Sequence, residues 1–175
     1  MSSSADEFKK YIRDIPDFPQ EGIIFRDITN LLKDGEIFKQ AINAMADQFK
    51  NEKIDLICSV EARGFMIGSA LAHALGAGFV PIRKKGKLPW DTHQESYELE
   101  YGTDEVEIHI DAVEPGHRVL FVDDVIATGG TAKASLELIK KLNGVLVSTV
   151  FLIELTALGG KEQLGDVPVY SLMQY

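Results

Sequence analysis

Two adjacent carboxylates, Asp123 and Asp124, stand between the apolar run "VLFV" and the short segment "ATGGT", Ala127 to Thr131. Placed there, they can accept hydrogen bonds from neutral hydroxyls. Gly129 and Gly130 tolerate the dihedrals that turn successive backbone N–H groups toward one point, and Thr128 and Thr131 add hydroxyl donors where a helix should begin. Such a loop cradles a phosphate. Acceptors for hydroxyls followed by donors for a phosphate are what a sugar phosphate requires, and a ribose 5-phosphate fits both halves.

Other sites built from similar residues fail on particulars. A Walker A loop needs Ser or Thr after Gly-Lys, but Gly86 and Lys87 are followed by Leu88. A dinucleotide fingerprint needs a third glycine where "GAGFVP" has Pro81. An acid pair can also hold the metal of a phospho-receiver domain, but there it follows a first strand, and this one comes late in the chain.

The elements that must position the acid pair can be read from periodicity. "VLFV" predicts a buried central strand, and Thr131 to Leu142 a helix stopped by Asn143 and Gly144. "DLICSV" and "GFVPIR" read as buried parallel strands around "EARG" and an Ala- and Leu-rich helix ending near Leu75. "EVEIHI" alternates as a strand with one solvated face, and "VLVSTVFLIEL" and "PVYSLM" close the sheet.

Earlier in the chain, Ser4 and Glu7 resemble a capping box for a short helix to about Asp14. Phe18 to Leu32 suits a packed loop with a short strand. Asp34 can cap a helix from Gly35 to about Lys50 with Ile37, Phe38, Ala41, Ile42, Met45, Ala46 and Phe49 on its core face. Residues 84–103 lack a stable period and predict a long loop with some hairpin character. This order predicts an α/β fold: a mostly parallel twisted sheet flanked by helices, in a single domain over 1–175. A small N-terminal arm or hood over about 1–34 precedes it, and a flexible lid loop covers about 84–103. Ligands of such sheets sit beyond the carboxyl ends of the strands, where Asp123 and Asp124 fall.

Composition limits the partners. With 18 basic and 27 acidic residues the formal charge is −9, which argues against broad binding to nucleic acid or to an anionic membrane. Cys58 is the only cysteine, so no intramolecular disulfide or cysteine-rich metal site is expected, and the side chain reads as a small buried hydrophobe. None of the four histidines has the spacing of a metal ligand set. The charged N-terminus lacks an apolar signal core, and no later run is long enough to span a bilayer, which together predict a soluble cytoplasmic protein.

"VLFVDDVIATGGT" closely resembles the phosphoribosyl pyrophosphate motif of type I phosphoribosyltransferases. "FPQEGIIFRDIT", "EARGF", "RKKGKLP" and "YELEYG" occur in the order and spacing of the adenine-specific members, and the resemblance runs from about Arg13 to Tyr175. It implies transfer of a phosphoribosyl group from phosphoribosyl pyrophosphate to adenine, giving AMP and pyrophosphate in purine salvage, with Mg2+. The ion would be held mainly by substrate oxygens and water rather than by protein ligands.

The same resemblance assigns roles. Asp123, Asp124, Ala127, Thr128, Gly129, Gly130 and Thr131 would hold the ribose 5-phosphate. Glu61, Ala62, Arg63, Arg83, Lys84 and Lys87 would face the pyrophosphate, with Arg63 also catalytic. Backbone groups around Ile24 and Arg26 would read the amino group and N1 of adenine, which are reversed in hypoxanthine. Phe25 and Val125 would sandwich the ring. Glu100 would face N7 as acid or base, beside Tyr101 of the closing loop. Part of the basic segment reaches a neighbouring subunit in this family, which implies a homodimer. Two departures stand out: Ala62 replaces a common Ser, and Trp90 and Asp91 stand where smaller or varied residues are usual.

Two rivals share the fold. A sensor of phosphoribosyl pyrophosphate would carry a DNA-binding domain and a basic face, and neither is seen in this acidic chain. An enzyme for 6-oxopurines is disfavoured by "GIIFRDIT" and "LEYG".

Overall fold

The computed structural model describes residues 5–98 and 102–175. The chain opens with helix α1, Ala5–Lys9, then pairs strand β1, Arg13–Pro16, antiparallel to β2, Ile24–Asp27. The first helix is shorter than its sequence predicts, because residues 13–16 are held in a two-stranded ladder with Arg13 opposite Asp27 and Pro16 opposite Ile24. Ser4 of the expected capping box lies outside the described residues.

Helix α2, Thr29–Lys33, leads into α3, Gly35–Asp47. Asp34 caps α3 as its position predicts, its Oδ1 accepting from the N–H groups of Glu36 and Ile37 at 3.2 and 3.1 Å. Strand β3, Leu56–Val60, helix α4, Arg63–Leu75, and strand β4, Gly78–Lys84, form the first parallel unit. Strands β5, Thr92–Glu98, and β6, Thr103–His109, follow as an antiparallel pair; then come β7, Arg118–Ile126, α5, Gly130–Lys141, β8, Val145–Glu154, and β9, Val169–Gln174.

These strands make one seven-stranded sheet in the order β5-β6-β4-β3-β7-β8-β9. From β4 to β9 every neighbour is parallel, while β6 runs antiparallel to β4 and β5 antiparallel to β6. The mostly parallel α/β sheet is thus the one expected. In the 84–103 segment the hairpin character takes up more than expected: Thr92 to Glu98 pair residue by residue with His109 to Thr103. Its own side chains do not alternate cleanly, so the ladder is supplied by β6 rather than by local pattern.

Alternation on the central strands divides the core into two faces. Leu120 and Val122 of β7 join Met45, Ile67 and Leu71 under α3 and α4, whereas Val119 and Phe121 join Leu138 and Ile139 under α5. Cys58 is fully buried in the second cluster, and burial pushes its thiol pKa up. No helix among the described residues is long and apolar enough to cross a membrane.

Candidate active site

β3 and β7 are adjacent and in register, with Ser59 opposite Val122, so the turns after both strands open at the same edge of the sheet. The turn after β3 contains a cis Glu61–Ala62 peptide and leads into Arg63, the first residue of α4. The end of β7 carries Asp123 and Asp124.

Close packing of α4 on the strands brings these groups together, and glycine allows it. A Cβ on Gly64 would lie 2.5 Å from Asp123 Oδ1 and 2.9 Å from Ser59 Oγ, and one on Gly68 would lie 2.7 Å from Ser59 Cβ. Ser59 is buried without penalty because its hydroxyl donates to the carbonyl of Val122 at 2.7 Å, tying β3 to β7 just before the acid pair.

The two acids differ in environment. Asp123 Oδ1 accepts from the backbone N–H of Asp124 at 2.8 Å. Burial, and then the neighbouring Asp124 carboxylate, hold the Asp123 carboxyl well above its ordinary range. Asp124, 5% exposed, has its Oδ2 2.8 Å from Arg63 Nε. That contact is an ion pair without the alignment of a hydrogen bond, so the buried oxygen retains an unfilled acceptor site. The Arg63 guanidinium also lies over the Phe25 ring, 4.7 Å from its centroid, and thereby joins β2 to the acid pair.

Beyond β7 the chain turns through the segment expected to hold a phosphate. Gly129 adopts φ +86°, a left-handed conformation that aims the following N–H groups at the start of α5. Asp123 and the residues from Val125 to Ala132 line a recess of about 110 Å³. Its back wall was not legible beforehand: a 3₁₀ turn, Gly160–Leu164, packs so closely that a Cβ on Gly129 would lie 2.5 Å from the Gly160 carbonyl oxygen. A Cβ on Gly160 would in turn collide with the carbonyl of Ala127. The paired glycines "GG" at 159–160 were the only sequence signal for it.

A cleft of about 420 Å³ opens beside the cradle, lined among others by Glu61, Ala62, Arg63, Lys84, Asp124 and Val125. Thr131 also reaches it. Glu61 is not free to meet an anion: its carboxylate accepts from the backbone N–H of Lys84 at 2.8 Å and pairs with Arg83 Nε at 3.2 Å. Burial opposes its charge, but these donors outweigh burial and hold its pKa below the ordinary value. Arg83 commits its remaining nitrogen to the Lys87 carbonyl at 3.3 Å. The structure thus places Arg83 as a brace for the turn after β3, while Lys84, paired with Asp104 at 2.7 Å, lines the cleft. Lys87 is exposed, in the turn after β4.

Of the residues expected to meet adenine, Ile24, Phe25 and Arg26 fall on β2 and Val125 on β7. Ile24 is half exposed, Phe25 partly buried, and the Arg26 side chain is clamped between Asp14 and the Tyr175 ring, whose centroid lies 4.1 Å from its guanidinium carbon. Glu100 and Tyr101 lie outside the described residues. Trp90 is 53% exposed and packs edge-to-face on His109 at 6.2 Å.

One expectation is corrected here. The second face of "EVEIHI" is not solvated: Glu107 is 2% exposed, because the 84–92 segment folds over it. Its carboxylate accepts from the N–H groups of Lys87 and Leu88 at 3.0 and 2.9 Å and meets Thr92 and Gln94 at 3.4 Å. An acid flanked by Val106 and Ile108, both fully buried, was the available clue.

A parallel sheet with an acid pair and a glycine cradle at the end of its central strand defines a phosphoribosyltransferase, and residues 28–169 match the family model for the phosphoribosyl transferase domain. The chain is 60% identical over 168 residues to the adenine phosphoribosyltransferase of Halothermothrix orenii, covering 96% of this chain and 99% of that one. Its fold is similar, with a TM-score of 0.95, to that of the Thermoanaerobacter pseudethanolicus adenine phosphoribosyltransferase, at 50% identity, covering 98% of this chain and 100% of the other. The Saccharomyces cerevisiae enzyme, solved with an imino-altritol bisphosphate and adenine, gives a TM-score of 0.93 at 42% identity, with 99% of this chain and 100% of that one covered. The chain belongs to the adenine phosphoribosyltransferases.

Proposed function

We propose that this chain transfers the 5-phosphoribosyl group of phosphoribosyl pyrophosphate to adenine, releasing AMP and pyrophosphate. The observation that carries the reading is the junction of β7 with α5, where an acid pair, a left-handed glycine and the backbone donors of a helix start occupy successive positions beside Arg63.

In this reading the amides and hydroxyls from Ala127 to Thr131 hold the 5-phosphate, and Asp123 and Asp124 receive the ribose hydroxyls. Asp123, held toward its protonated form, can donate as well as accept. Breaking the bond from ribose C1 to the diphosphate leaves oxocarbenium character on the sugar and concentrated negative charge on the leaving group, so the donors facing that group lower the barrier. Arg63 and Lys84, with the backbone at Glu61 and Ala62, are the candidates. Arg83, held to Glu61 and to the Lys87 carbonyl, supports that wall, and the exposed Lys87 can serve a second subunit of a homodimer.

A purine packed between Phe25 and Val125, with its edge read by the backbone at Ile24 and Arg26, would meet the sugar at this point. Arg63 now lies over the Phe25 ring, so binding the diphosphate would also bare that ring. Glu100 would serve N7 of the base, with Tyr101 beside it on the closing segment, and the 84–103 segment would act as the lid.

Among the described residues no cluster of three or more His, Cys, Asp or Glu could hold a metal. A magnesium ion arriving with the donor would find its ligands mainly in diphosphate, ribose and water, and would supply the positive charge that an acidic chain lacks. The acidic balance and the reduced Cys58 suit a single-domain enzyme of the cytoplasm in purine salvage.

The test is an assay of the purified chain with phosphoribosyl pyrophosphate and magnesium, offering adenine, hypoxanthine, guanine and xanthine separately. AMP from adenine alone is the expected result. Product from a 6-oxopurine in its place would overturn the assignment of the base, and donor binding without product would turn the chain into a sensor.

A further inference from the structure

Tyr97, near the end of β5, connects the two ends of the site. It is partly buried and lines both the cleft and a second recess of about 410 Å³ between β5 and α5. A Cβ on Gly130, the first residue of α5, would lie 3.5 Å from Tyr97 Cδ2 and 3.4 Å from the Glu98 carbonyl oxygen, so the tyrosine ring stands within about a methyl group's reach of the cradle. Its hydroxyl donates to Asp104 Oδ2 at 3.2 Å, and Thr131 of the cradle lines the same cleft. The same Asp104 oxygen pairs with Lys84 Nζ at 2.7 Å. Tyr97, Asp104 and Lys84 therefore form one run of polar contacts, which starts beside the cradle and ends at the cation on the other wall of the cleft. Burial raises the phenol pKa, so the hydroxyl keeps its proton and can donate and accept at once.

We propose that Tyr97 is a positioning residue for the phosphoribosyl donor, its ring standing beside the cradle at the 5-phosphate end and its hydroxyl, through Asp104, setting Lys84 at the diphosphate end. The donor carries charge at both ends, and affinity for such a ligand rises when the groups that meet each end are oriented before it binds. Without the Tyr97 hydroxyl, Asp104 and Lys84 would be left to be ordered by the ligand. This inference rests on the donor assignment above.

Tyr97→Phe keeps the ring against Gly130 and removes only the hydroxyl. Calorimetric titration of the full chain with phosphoribosyl pyrophosphate and magnesium, alongside steady-state kinetics, should show donor Kd and KM raised about three- to tenfold, with the KM for adenine unchanged. Asp104→Asn should produce a similar rise, and the double variant should fall short of the product of the two. Unchanged donor affinity in Tyr97→Phe would overturn the inference. So would an equal weakening of donor and adenine accompanied by a lower melting temperature, which marks a merely structural role. Wild-type protein that binds donor without forming AMP would remove the proposed activity and still allow the inference to be read in Kd; wild-type protein that does not bind donor would remove both.

Discussion

Arg63 Nε lies 2.8 Å from Asp124 Oδ2 while the same guanidinium covers the Phe25 ring at 4.7 Å. One side chain thus links the start of α4, the end of β7 and the β1–β2 arm. Because Asp124 is buried and Arg63 is about two-fifths exposed, the pair is screened on one side only. Arg63→Ala should lower kcat/KM for the donor by roughly 100-fold or more, by analogy with loss of one donor at a developing charge. Chemical unfolding should show a loss of about 1–2 kcal/mol, since the Asp124 carboxylate is left buried and unpaired. Arg63→Lys should recover part of the stability and little of the activity, because an ammonium neither stacks nor presents a planar fork.

Gly64 tests how closely α4 must approach. Its absent Cβ would meet both Asp123 Oδ1 and Ser59 Oγ below 3 Å. Gly64→Ala should cost about 1–3 kcal/mol in urea unfolding as an overpacking change. It should also displace Asp123 and raise the donor KM, whereas alanine at Gly76, where a Cβ meets nothing within 4 Å, should leave KM alone while straining a left-handed cap.

The cradle makes a separate prediction at Gly129. A φ of +86° and the Gly160 carbonyl 2.5 Å from an added Cβ oppose any side chain there for two independent reasons. Gly129→Ala should weaken binding of ribose 5-phosphate, measured by calorimetry, by about tenfold or more, with stability reduced by about 1–3 kcal/mol. Gly160→Ala, which faces Ala127 from the supporting turn, should show the same binding defect without altering any residue that meets the phosphate.

Asp123 governs a pH dependence. Its folded pKa is raised, first by burial and then by Asp124, so the folded state binds a proton that the unfolded chain releases near the ordinary aspartate value. The stabilising contribution is complete below the unfolded pKa and is lost as pH rises through the folded one. Asp123→Asn removes the penalty above that range while keeping an oxygen for the Asp124 N–H. Melting temperatures followed from pH 4 to 8 should fall less steeply with rising pH in the variant than in the parent, and parallel curves would refute the assignment.

The parallel strands, the cap of α3 and the helix after "ATGGT" were legible because each is specified by neighbours in sequence: buried runs for β3 and β7, an Asp before an amphipathic stretch, glycine where φ is positive. The acid pair and the cradle were legible for the same reason, since their chemistry lies within nine consecutive residues, from Asp123 to Thr131. Strand β5 was not, because its ladder depends on β6 rather than on its own pattern. Nor was the burial of Glu107, which requires the turn at 86–88 to fold over a strand some twenty residues later.

Sequence by itself determined which residues could bind a sugar phosphate and the layered α/β class that carries them, since both follow from local dihedral preference and hydrophobic period. Only the tertiary structure decided what each charge does. Arg83 braces Glu61, Lys84 and Tyr97 share Asp104, and Arg63 bridges Asp124 and Phe25, because a charged side chain takes whichever partner the packing of distant elements leaves within reach.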